Sequence, residues 1–155
     1  MKPATGWPLP PAAPPAAEEA GAGEIAVVLV GAHMQGLPLN HEVAGRGGRF
    51  LKATETAPRY RLYSLAGGPP KRPGMIRVED GAAIAVEVWA LPLEAFGAFM
   101  TGIPQPLGIG TVDLADGSQA KGFLCEPAGL AGAEEITGFG GWRAYLASLA
   151  TAKSA

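Results

Sequence analysis

Apolar positions along this chain recur mostly at period two, in short runs divided by Gly and Pro, a pattern that predicts strands more than helices. The first run, Ala26-Val27-Val28-Leu29-Val30, is continuously apolar and reads as a buried strand. It breaks at Gly31 into a loop reaching His41. A second strand is expected around Phe50 within residues 47–56, and Pro58 ends it. Residues 59–65 alternate, with Arg61, Tyr63 and Leu65 on one face and Tyr60, Leu62 and Ser64 on the other. Gly67 to Gly74 is a loop by composition, and Met75 to Val78 is a short strand turning through Asp80-Gly81. The clearest strand spans residues 83–91, with Ile84, Val86 and Val88 on one face and Glu87 and Trp89 on the other.

Pro92 opens a short amphipathic helix over residues 93–100, which Gly102 and Pro104 end. Residues 107–114 and 118–126 form a strand pair around Ala115-Asp116-Gly117, a hairpin signal. Apolar residues at 142, 145, 146 and 149 predict a closing helix. Six or seven strands with few helices imply an α+β protein, built as a small, mostly antiparallel β-barrel with peripheral helices. Too few helices separate the strands for a doubly wound parallel sheet.

Composition narrows the picture. The first 23 residues are dominated by Pro, Ala and Gly, which favours an extended, solvated tail or the remnant of a linker, with Trp7 unassigned. The folded unit is expected over residues 24–150. A length of 155 residues suits one domain with a real core, and 48% hydrophobic against 17% charged residues marks it as globular. A net charge of -2, without a basic patch, gives no reason to expect nucleic acid or an anionic membrane as a partner. No apolar run approaches the ~18 residues of a membrane span, and no signal peptide is evident, so a cytoplasmic location is expected. The single Cys125 excludes an internal disulfide and reads as a buried structural thiol.

The chemistry must come from few groups. No nucleophile elbow, phosphate loop or dinucleotide fingerprint is present, and the two histidines, eight apart, lack metal-pair spacing, so neither metal nor cofactor is expected. The loop after the first strand holds both histidines, and its Gly31 lets the backbone approach a ligand closely. Gly, Pro and Asn also make ordinary turns, so a turn without function is the plain alternative. His33 suits acid–base work near neutral pH, or else ties down its own loop. His41 reads as structural or exposed. Arg61 and Tyr63 offer a cation and a hydroxyl to an anion, or are solvated. Glu87 is either a base in a pocket or a polar residue on a wet sheet face.

Several stretches in order then carry a resemblance: residues 30–40 (Val-Gly-Ala-His-Met-Gln-Gly-Leu-Pro-Leu-Asn), 56–63, 87–92 (Glu-Val-Trp-Ala-Leu-Pro), 106–110, 121–126 and 138–146. Together, from about Ile25 to Leu149, they closely resemble the C-terminal domain of allophanate hydrolase, which looks like a relative of the γ-glutamylcyclotransferase-like fold. The resemblance implies decarboxylation of N-carboxycarbamate, the second step of allophanate breakdown in urea degradation, or of a related small dicarboxylate. It implies His33 as proton donor, Gly31 and Ala32 as backbone contacts, and Asn40, Arg61 and Tyr63 on the carboxylates, with Met34 and Glu87 also lining the site. The chain lacks the Ser–Ser–Lys triad of the amidase half, so an amidase-signature protein acting in trans is an implied partner. A second copy of the chain is another.

The runner-up is a non-catalytic binding or assembly module for such an amidase. Cyclotransferase activity is disfavoured, because the stretch Phe99-Met100-Thr101-Gly102-Ile103-Pro104-Gln105 has no carboxylate where those enzymes carry a glutamate base. Only Glu87 is left to replace it.

Overall fold

The computed structural model describes residues 19–154, with side chains through residue 152. The tail expected over residues 1–23, Trp7 included, lies mostly outside the described residues.

Among the described residues, eight strands form two sheets. β1 (Glu24–Leu29), β2 (Arg49–Glu55), β5 (Ala85–Pro92), β6 (Leu107–Asp113) and β7 (Gln119–Cys125) make a five-stranded sheet in the order β2-β5-β1-β7-β6. β3 (Tyr60–Ser64), β4 (Pro73–Arg77) and β8 (Glu134–Glu135) make a three-stranded one in the order β4-β3-β8. Three helices complete the fold: α1 (His41–Ala44), α2 (Leu93–Thr101) and α3 (Trp142–Ser154).

The continuous apolar run becomes β1 because that strand is central. It pairs antiparallel with β5 and parallel with β7, and Val27, Val28 and Leu29 are fully buried. Both faces of a central, covered strand are dry, so no polar alternation is needed. The same holds for β5, where Val86 through Leu91 are all buried, Glu87 and Trp89 among them. Of the two settings open to Glu87, the wet sheet face is not the one found. In β3 the predicted alternation is seen: Tyr60, Leu62 and Ser64 are buried, while Arg61 and Tyr63 are half-buried. The hairpin joining β6 and β7 turns at Gly117 with φ of 90°, a conformation glycine adopts without strain. Trp142 and Tyr145 bury the inner stripe of α3. Cys125 is buried, and burial pushes its thiol pKa up.

The barrel is not formed. The outer strands of the larger sheet, β2 and β6, approach only through one isolated bridge, Thr56 to Leu114, and no ladder joins them. Closing a barrel requires continuous pairing around the circumference. Instead two open sheets pack together, stitched by Tyr60, whose hydroxyl accepts the Asp113 N–H at 2.8 Å. The strand count also rises to eight, because β8 is a two-residue strand with both glutamates exposed. The architecture is α+β with two sheets.

Two registers position the loop after β1. Leu29 stands opposite Glu87, so the chain leaves β1 above that carboxylate. On the other side Val28 stands opposite Gly122, bringing the loop over Phe123. Gly122 is required there, since a Cβ would lie 2.6 Å from Val28 Cβ.

Candidate functional site: the loop after the first strand

The loop from Gly31 to Asn40 is folded onto itself. Met34 N–H donates to Gly31 O at 2.9 Å, Leu39 N–H to Ala32 O at 2.9 Å and Asn40 N–H to Leu37 O at 3.0 Å. Asn40 adds a side-chain bond, donating from Nδ2 to His33 O at 2.8 Å. Asn40 is thus a brace for the loop. The N–H groups of Ala32 and His33 donate to no acceptor among the described residues, although Ala32 is buried. Buried N–H groups are nearly always paired, so the one at Ala32, with that of half-buried His33 next to it, offers a place for an acceptor from outside the protein.

His33 is held from three sides. Its ring stacks on Phe123 with centroids 5.0 Å apart and meets Phe99 of α2 edge-on at 5.2 Å. Its Nε2 lies 2.8 Å from Oε1 of Glu42 in α1. A carboxylate oxygen accepts, so Nε2 carries the proton, and in the neutral ring Nδ1 keeps its lone pair. Burial lowers the His33 pKa, and the bond to Glu42 partly opposes that. The outcome is a neutral imidazole beside an anion that stabilises its charged form. This arrangement suits a group that takes up a proton and gives it away again.

Two adjoining spaces meet at the loop. An inner pocket of about 20 Å³ is lined by Gly31, Ala32, His33, Arg72 and Phe123, among others. An outer cleft of about 470 Å³ is lined by Ala32, Leu39, Pro69, Lys71, Trp142 and Leu146, with other residues. Ala32 and Leu39 line both.

Glu87 supports the loop at Gln35 and is buried. Its Oε1 accepts from Gln35 N–H at 2.9 Å and from Trp89 Nε1 at 3.0 Å. Its Oε2 accepts from Arg143 Nη2 at 2.8 Å, and the same guanidinium donates to Gln35 O at 2.6 Å. Met34, buried, and Glu87 line a separate cleft of about 290 Å³ with Trp142 and Arg143.

The structure therefore brings Gly31, Ala32, His33, Met34, Asn40 and Glu87 to one loop and its supports. Arg61 and Tyr63 lie elsewhere, on the three-stranded sheet. Arg61 faces Glu135 at 4.0 Å and donates to Asp80 O at 3.3 Å, and Tyr63 stands opposite Gly74 and Glu135. Neither lines the His33 pocket. His41 is exposed. Sequence reasoning missed Glu42, Arg72 and Arg143. Only Glu42 had a local signal, lying in the same polar segment as Asn40 and His41. Among the described residues no cluster of three or more His, Cys, Asp or Glu side chains could hold a metal ion, and no helix is long and apolar enough to cross a membrane.

Comparison with known proteins places this loop in a family. The urea amidolyase of Saccharomyces cerevisiae is 42% identical over 130 residues, covering 81% of this chain and 7% of that protein. The allophanate hydrolase of Kluyveromyces lactis superposes with a TM-score of 0.78 at 38% identity, covering 81% of this chain and 21% of that one. A uropathogenic E. coli-specific protein superposes at 0.75 with 40% identity, covering 80% of this chain and 96% of that one. The chain thus spans a small part of the first two relatives and nearly all of the third. Residues 25–147 match the model of the allophanate hydrolase C-terminal domain, and the chain belongs to that family.

Proposed function

We propose that this chain acts in allophanate breakdown, within urea degradation, by promoting decarboxylation of N-carboxycarbamate at the His33 loop. Family membership supports the setting. The observation that carries the reaction is the adjacent pair of N–H groups at Ala32 and His33, without an acceptor among the described residues, beside a carboxylate-backed imidazole.

N-carboxycarbamate carries two carboxylates on one NH group. When a C–N bond breaks, carbon dioxide leaves, the bonding pair stays on nitrogen and nitrogen takes a proton, giving carbamate. The protein has to hold the dianion and deliver that proton. The two N–H groups receive one carboxylate. A dianion beside the ring offsets the cost of desolvation, draws a proton onto Nδ1 of His33, and Glu42 steadies the imidazolium. The proton then passes to the substrate nitrogen. The dianion is the product of an amidase-signature partner acting in trans. Glu87, with three donors on its carboxylate, is poorly suited to serve as a base, which disfavours cyclotransfer.

The test couples the chain to an amidase that generates the dianion and follows carbon dioxide release with and without it. Release should rise with the wild type, and His33→Gln should lose about 10²- to 10⁴-fold of that gain, the usual range for a removed acid or base. Equal release with and without the chain would sink the proposal and favour a non-catalytic assembly module.

A further inference from the structure

We propose that Arg72 binds the second carboxylate of the dianion and so makes the site selective for dicarboxylates over monocarboxylates. This rests on the reading of the His33 loop as an anion site and names the cation which that reading needs.

Three observations converge on Arg72. It lines the inner pocket together with Gly31, Ala32 and His33. Its backbone is pinned to that place: Leu65 N–H donates to Arg72 O at 3.0 Å, and the next residue, Pro73, is buried against Gly31. The approach is so close that a Cβ at Gly31 would lie 2.3 Å from Pro73 Cδ. The glycine that frees the loop's backbone thus also docks the segment carrying the arginine.

Finally, the Arg72 guanidinium has no hydrogen-bond or ion-pair partner among the described residues, whereas Lys71, Arg143 and Arg61 are engaged. Lys71 donates from Nζ to Ser64 Oγ at 3.0 Å, and Arg143 is bound to Glu87. Arg61 is engaged with Asp80 and Glu135. A guanidinium presents paired N–H donors that match a carboxylate. Held on a fixed backbone with its donors unspent, Arg72 is ready for an anion that already has one carboxylate on the Ala32 and His33 N–H groups. Its charge also lowers the proton affinity of His33, which places the two side chains within electrostatic reach.

The experiment titrates wild type, Arg72→Gln and Arg72→Lys with malonate and, separately, with acetate, reading amide shifts by NMR. Wild type should show saturable malonate shifts over residues 31–35. Arg72→Gln should weaken malonate about 10- to 100-fold, the size of a lost charged hydrogen-bonding pair, and leave acetate within about threefold. Arg72→Lys should restore part of the malonate affinity. Unchanged shifts for β1 and β5 in the variants would certify that the fold is intact. If Arg72→Gln binds malonate as tightly as wild type, or loses acetate equally, the assignment of Arg72 is wrong while the anion loop stands. If wild type gives no shifts over residues 31–35, the loop reading fails and the Arg72 assignment with it.

Discussion

Two carboxylates grip the loop after β1, at His33 and at Gln35, and they do so differently. Glu87 is buried, and its oxygens accept from Gln35 N–H, the Trp89 indole and the Arg143 guanidinium. Glu42 rises from a one-turn helix with its side chain 38% exposed, and it meets His33 alone among the described residues. The first carboxylate has donors on both oxygens, so little capacity is left for chemistry. The second leaves its partner with an open nitrogen and a charge state that is easily changed. The two contacts therefore do different things to the loop. Glu87 serves geometry and Glu42 serves proton affinity.

This contrast predicts two unlike losses. Glu87→Ala strands the buried Trp89 N–H and the Gln35 N–H and releases the clamp from Arg143. Its cost should be about 3 kcal/mol of stability, with malonate binding lost as the loop loosens. Urea unfolding, with malonate titration on the folded fraction, measures both. Glu42→Gln removes one partly exposed bond, so stability should change by under about 1 kcal/mol. Dianion turnover near neutral pH should nevertheless fall about tenfold, as one charge-assisted bond to the imidazolium disappears. If Glu42→Gln proved the more destabilising of the two, the division of duties would be wrong.

The strands were legible in the sequence because burial on one or both faces leaves a period in the residues. That signal found β1 to β7, α2 and α3 in order. It was silent on β8, whose two exposed glutamates have no period, and on closure, which depends on how edge strands meet. The barrel expectation failed at that point, since Thr56 and Leu114 form a bridge and nothing more. The site divides in the same manner. Gly31, Ala32, His33 and Asn40 are adjacent in sequence, and their local turn chemistry declared a loop. Arg61 is the cation that the resemblance implies, and strand alternation gives the face it shares with Tyr63 but not the neighbours of that face. Arg72 reaches the pocket through the contact of Gly31 with Pro73, and Arg143 reaches Glu87, outside that pocket, through a bond across 56 residues. Neither leaves a trace at any sequence period.

The smallest effect expected is in acid, and it sets the His33 ring of the loop against a carboxylate at the start of β1. Burial holds the His33 pKa below the ordinary 6.5 despite the pull of Glu42. Above 6.5 the ring is neutral in both folded and unfolded chains, and stability does not respond to it. As pH falls below 6.5 the unfolded chain takes up a proton that the folded chain refuses, so stability declines until the folded ring also titrates. A second decline has the opposite origin. Arg49, followed by the Gly21 N–H, holds the Glu24 carboxyl at about 2 against an ordinary 4.5. Its contribution is complete above 4.5 and is lost as pH falls from there towards 2. Urea midpoints measured from pH 7.5 to 3 should therefore fall in two stages. His33→Gln should flatten the upper stage and leave the lower one intact, whereas Glu24→Gln should shrink the lower stage and leave the upper one, the remainder coming from Asp113 and Asp116, whose carboxyls Gln119 and Ser118 also hold low. An upper stage that survives in His33→Gln would mean that the buried ring is not what senses mild acid.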